Sequence, residues 1–119
     1  MKLLLSNNQL TRYAQSGAYA TTTSIPLDAE LAVTAQTLLA WLQSQLVEGE
    51  AVGQVFLEPD GTHSEVDAEG NATSTRPKLS AAVTAHAAQG SRSVVFSSEA
   101  LPTELRDGLL AAWAEIESI

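Results

Sequence analysis

The stretch "VGQVFLEPDGTHSEVDAEGNATST", Val52 to Thr75, decides the architecture. "VGQVFLE" reads as a strand, "PDG" as a turn, "THSEV" as a second strand, "AEGN" as a second turn and "ATST" as a third strand. This predicts an antiparallel β-meander over about residues 51–76. It also carries five of the chain's fourteen carboxylates and one of its two histidines.

Upstream lies "PLDAELAVTAQTLLAWLQSQLVEG", Pro26 to Gly49. Pro26 and Asp28 suit a helix start and Gly49 suits its C-terminal cap, so a long central helix is expected over about 27–48. Leu31, Ala35, Leu38, Leu42 and Leu46 recur at helical spacing as one apolar stripe, flanked by Leu39 and Trp41. The opposite side is unusual. No charge occurs from Leu31 to Val47, and Val33, Ala40 and Val47 recur there every seven residues. An outward helix face normally carries charges. This one is expected to be covered on both sides, which makes Val33, Ala40 and Val47 a candidate oligomer face.

Downstream, "PKLSAAVTAHAAQG" reads as a short alanine-rich helix, with Leu79, Val83 and His86 on one side and Gly90 as its stop. "SVVFSS" follows as an apolar strand. The last element, about 102–117, is an amphipathic helix with Leu105, Leu109, Ala112, Trp113 and Ile116 inward and Glu104, Asp107 and Glu115 outward. At the N-terminus "KLLLS" suits a strand, "NN" a turn and "GAYATTTSI" a strand, while "QLTRYAQS" fits either a helical turn or a strand. The sum is α+β: a single domain, residues 1–119, with a mostly antiparallel sheet covered by the two helices.

A chain of 119 residues suits one domain, and its apolar fraction of 45% is that of a folded globule. Without cysteine there is no disulfide, thiolate ligand or cysteine nucleophile. "MKLLLSNNQ" is too short in apolar residues for a secretory leader, and no run approaches the ~18 residues of a membrane span. A soluble, cytoplasmic protein is the expectation. The net charge is −8, and Glu48 to Glu69 holds seven acids with no lysine or arginine. Such a field repels nucleic acid and anionic membranes and favours a basic partner.

A calcium loop phased on Glu65 would use Glu65, Asp67, Glu69 and Gly70, yet its twelfth position is Arg76, a cation where the bidentate carboxylate belongs. No metal site is assigned. His63, Glu65 and Asp67 alternate along one strand and would share a face, as a general base with its orienting acid would; a solvated polar face looks the same. On that reading Thr62, Ser64 and Val66 turn inward. His86, in the apolar stripe of the short helix, reads as a packing residue; a metal site would require it to meet His63, with a carboxylate completing the set. Nucleotide loops, the nucleophile elbow and S-x-x-K are absent, so no cofactor is expected. "RPK" with Arg92 is too small a basic cluster for nucleic acid; it offsets the neighbouring acids.

The favoured reading is a non-catalytic protein-binding module of inhibitor or accessory type, with Glu58, Asp60, Glu65, Asp67 and Glu69 facing a basic protein. The alternatives are a homo-oligomer or structural subunit joined through helix 31–47, and a small enzyme using His63 with Glu65.

Overall fold

A computed structural model describes residues 1–16 and 19–118. Six strands, β1 (Lys2–Ser6), β2 (Gln9–Ser16), β3 (Tyr19–Ile25), β4 (Ala51–Val66), β5 (Ala72–Ala87) and β6 (Gly90–Ser97), form one antiparallel sheet in the order β3-β2-β1-β4-β5-β6. Two helices, α1 (Ala29–Gln45) and α2 (Thr103–Glu117), complete the α+β fold. Among the described residues, no helix is long and apolar enough to cross a membrane.

The N-terminal segment belongs to the sheet. Asn7 and Asn8 take φ of 51° and 60°, the left-handed pair that a two-residue hairpin turn requires, so Ser6 lies opposite Gln9 and "QLTRYAQS" runs back as β2. The expected strand "GAYATTTSI" is β3 from Tyr19 onward; Gly17 and Ala18 lie outside the described residues.

Asp28 caps α1 as its position suggests, accepting a hydrogen bond from the Leu31 amide at 2.8 Å. Gly49 is not the C-terminal cap. The helix ends at Leu46 in extended conformation, and Gly49, with φ of 90°, serves the turn that leads into β4. Leu38 and Leu42 are fully buried against the sheet, and Trp41 meets Phe96 edge-on with ring centres 5.6 Å apart. On α2, Leu105, Leu109, Trp113 and Ile116 are buried as expected. Both helices lie on the sheet face that carries Leu3, Leu5, Leu10 and Leu57. Arg12, pointing to that same side, donates to the Ile116 carbonyl at 3.3 Å, a cation at the negative end of α2. The expectation that α1 is covered on both sides is not met within the chain: Val33 and Val47 are each 62% exposed, and Ala40 is exposed too.

Two readings of the 51–90 region need correction. The meander is instead two long strands. "PDG" does not reverse the chain: Pro59 pairs with Leu79 and Thr62 with Pro77, so β4 gains one residue on β5 and continues. Gly61, with φ of 79°, is the left-handed residue of that bulge. Between β4 and β5 the chain reverses once, at Asp67–Asn71. The alanine-rich "helix" is also wrong, because its segment is most of β5. Leu79, Ala81, Val83 and Ala85 are buried while Ser80, Ala82, Thr84 and His86 point the other way, a period of two. Helix propensity of alanine is a few tenths of a kcal/mol per residue, and packing between two strands overrides it. Gly90 is then no helix stop but the first residue of β6, opposite Ala87.

Truncating the buried centre should separate α1's two faces. Leu42→Ala is expected to cost about 2–5 kcal/mol in urea unfolding, the range for a buried leucine whose site cannot collapse. Val33→Ala, on the exposed face, should stay within about 0.5 kcal/mol.

Candidate functional site

Past Leu57 the β1 strand no longer pairs with β4, and before Ser80 the β6 strand no longer pairs with β5. Glu58–Val66 and Ala72–Lys78 therefore leave the sheet as a two-stranded arm, with the buried Leu79 at its root. At ~3.4 Å per residue its β5 side runs roughly 24 Å beyond that root, and the molecule measures 52 Å along its longest axis. All five candidate partner-binding carboxylates sit on this arm or at its root.

They do different things. Glu58 lies beside Lys2 at 3.6 Å. Asp67 builds the reversal: its Oδ1 accepts from the amides of Glu69 at 3.0 Å and Asn71 at 2.9 Å, with Gly70 at φ 84°. Among the described residues, Asp60 at the bulge and Glu69 at the tip make no ion pair. Glu65 is neutralised by Arg76, Nη1 to Oε1 at 3.1 Å. The cation that spoils the calcium spacing is thus the one that pairs with its first would-be ligand.

Arg76 also closes a second contact that the sequence did not suggest. Its Nη2 and Nε reach the two oxygens of Glu99 at 2.5 and 3.1 Å, a bidentate pair. Glu99 lies in the 3-10 turn Ser98–Ala100, which follows β6. The buried Ser98 hydroxyl accepts from the Leu79 amide at 3.0 Å, beside the point where the β6 ladder stops, and so fixes this turn against the root of the arm. His63 joins the group, with Nε2 at 3.1 Å from Glu65 and Nδ1 at 3.3 Å from Glu99. The Nε2 contact to Glu65 is a hydrogen bond, while the Nδ1 contact to Glu99 is a proximity that becomes an ion pair only when the ring is protonated. The Arg76 guanidinium, followed by His63, holds the Glu65 carboxyl below the usual carboxylate range, and Arg76 does the same for Glu99. The arginine is pushed up in turn, chiefly by its hydrogen bonds to Glu99.

The His63–Glu65 proximity expected from alternation is present, and Asp67 is drawn off to the turn. Thr62, Ser64 and Val66 do not turn into a core. No helix covers the arm, so all three are exposed, Val66 to 63%, and the Ser64 and Thr75 hydroxyls meet at 3.0 Å. His86 lies on β5, its Nδ1 2.6 Å from Ser91 Oγ and its ring over Gly53, where any Cβ would collide with Nε2. Arg76, opposite His63, is ten residues from His86 along β5. That is ~33 Å, beyond any shared ion. Among the described residues, no three histidine or carboxylate groups are placed to hold a metal. A second bidentate pair, Arg92 with Glu50 at 2.6 and 2.8 Å, ties β6 to the segment after α1 and lowers the Glu50 carboxyl.

Depressed carboxyl groups stabilise the folded form above their ordinary value and lose that contribution as pH falls through the folded one. Amide exchange protection in β4 62–66 and β5 72–76 should hold steady from pH 7 to about 5 and drop below about 4.3, the ordinary glutamate value. Glu99→Gln should lower protection of these amides at neutral pH while leaving Val55 and Val83 unchanged. The chain matches no protein-family model, no curated protein and no solved structure in comparison with them.

Proposed function

We propose that the protein is a non-catalytic binding module whose projecting arm engages a basic protein partner, in the manner of an inhibitor or accessory subunit. The observation that carries this reading is the composition of the arm's free end. Val66, an exposed apolar side chain, lies beside Asp67 and Glu69, with Asp60 lower on the same arm. An apolar anchor rimmed by carboxylates suits a cationic surface: the anchor supplies desolvated contact, and the charges steer encounter and set register. The five carboxylates are not equivalent in this role. Glu58 and Glu65 are already paired and Asp67 holds the turn, so Asp60 and Glu69 are the groups whose charge is most open to a partner.

A second reading is favoured by one observation on α1. Val33 on the helix and Val47 just past its end are each 62% exposed in a segment without charge from residue 31 to 47, which supports assembly through this side with a partner subunit or a copy of the chain. An enzyme built on His63 and Glu65 has less support, because Glu65 is already ion-paired with Arg76 and each ring nitrogen of His63 lies within 3.3 Å of a carboxylate.

The first reading is tested by capture from native lysate on the full chain and on the Asp60→Lys/Glu69→Lys variant. Neither side chain has an ion pair to lose, so folding should be intact by circular dichroism. A basic protein retained by the native chain should be released from the variant, or elute at clearly lower salt. Equal retention of the same partner by both would sink the acidic-arm reading.

A further inference from the structure

We propose that the sheet face turned away from the helices is a self-association surface on which a second copy of this chain packs face to face. This goes beyond the arm, which faces another partner and leaves this surface open.

Pairing places Leu4 beside Phe56, Phe56 beside Ala82 and Ala82 beside Val95, an apolar row running straight across four strands. Tyr13 packs against Phe56 with ring centres 6.4 Å apart. Val95 ends the row 65% exposed. An antiparallel sheet with one solvated face normally alternates apolar residues inward with charged and polar residues outward. Here the described outward residues as far as the arm's root at Glu58 and Ser80 include only two formal charges, Lys2 and Glu58, and these lie 3.6 Å apart; Lys78 stands one step further out, on the arm. The rest of the face is largely Ser and Thr.

Charge decides what fits. A chain of net charge −8 repels its own copies everywhere that its acids are exposed. On this face the local charge is zero, so two copies meet there without opposing carboxylates. A basic partner, in contrast, gains nothing on a neutral surface. A two-fold axis parallel to the strands between β1 and β4 would set Phe56 over Leu4 of the second copy and Lys2 over its Glu58. The face is thus complementary to itself, as an isologous dimer requires.

Area agrees. Six strands at ~4.8 Å spacing by five or six residues at ~3.3 Å give a footprint of about 500–600 Å² per copy, so two copies exceed the ~1,000 Å² total of a specific interface. The exposed stripe of α1, about 25 Å by 10 Å, offers roughly 250 Å² and falls short alone.

The test is sedimentation equilibrium on the full-length native chain and on Phe56→Lys, Val95→Lys and Val33→Glu/Val47→Glu. The native chain should run at twice its 12.5 kDa mass. Lysine on the sheet face should weaken association by about a hundredfold or more, because it buries an unpaired charge. Val95 is exposed enough that its variant folds even if Phe56→Lys does not. The α1 variant should remain dimeric. A native chain that stays monomeric at about 100 μM overturns the proposal, since that bounds Kd above any useful self-association. So does a dimer unaffected by Val95→Lys and Phe56→Lys, or one that only the α1 variant disrupts.

Discussion

Val55 and Val83 face each other across the β4–β5 ladder with no exposed surface, beneath the two helices. This contact fixes the register of two sixteen-residue strands. A slip by one residue would turn Leu79, Ala81, Val83 and Ala85 to the open face and bring Ser80, Thr84 and His86 under the helices, which costs both apolar burial and polar desolvation. Everything else is placed by that register. Leu57 falls opposite Ala81, β1 docks beside Leu57, and β6 aligns Phe96 to meet Trp41 on α1. The small Ala81 and Ala85 keep the inner surface of β5 low, leaving room for helix side chains at core density.

The same register makes the arm, because β4 and β5 run past their neighbours. A two-stranded ribbon is marginal in water. This one is held at its root by the bidentate Arg76–Glu99 pair and by Ser98 on the Leu79 amide. Its outer edges would invite unwanted strand pairing, and here Pro59, Pro77 and charged side chains blunt them. The arm is therefore stiff at its base and protected along its length, with its apolar and acidic groups gathered at the end. Strand addition is a poor use for such an edge; side-chain recognition at the tip is a good one.

Helical periodicity made α1 and α2 legible in the sequence to within a few residues, because sustained stripes of leucine admit one period. The β1–β2 hairpin was only half legible: Asn7–Asn8 marked a turn, but "QLTRYAQS" suited a helical turn as well as the strand that pairing with β1 makes it. Two errors share a cause. Pro59–Gly61 carries the same chemistry for a tight turn as for a bulge, a glycine at positive φ, and only the partner strand decides between them. In β5, alanine satisfies the helix scale while Leu79, Ala81, Val83 and Ala85 satisfy a strand's alternation; the choice lies with β4 and β6, which flank it. The site divides the same way. His63 beside Glu65 follows from alternation on one strand. Glu99 lies twenty-three residues from Arg76, and nothing local joins them. The neutral sheet face was hidden because its row of Leu4, Phe56, Ala82 and Val95 is assembled from four strands, each contributing one residue.

The distribution of charge gives the two proposed surfaces opposite physics. Acids and cations are concentrated on the arm, on the rims of the helices and in the Arg92–Glu50 tie, while the open sheet face holds one self-neutralising pair. Contacts that Asp60 and Glu69 would make to the proposed basic partner are exposed charge pairs, screened over ~8 Å at physiological ionic strength, and salt would weaken them. Packing of the sheet face removes apolar area and brings two anionic bodies together; salt screens their repulsion and strengthens it. A single protein can then carry a salt-sensitive arm on a salt-tolerant dimer. The two functions need not compete, because the arm extends along the strands, beyond the six-stranded region, and pairing of the sheets would leave both tips free. Two arms on one dimer would also raise the effective concentration of the second contact on any partner with two basic sites, so each tip could bind weakly and the pair still hold.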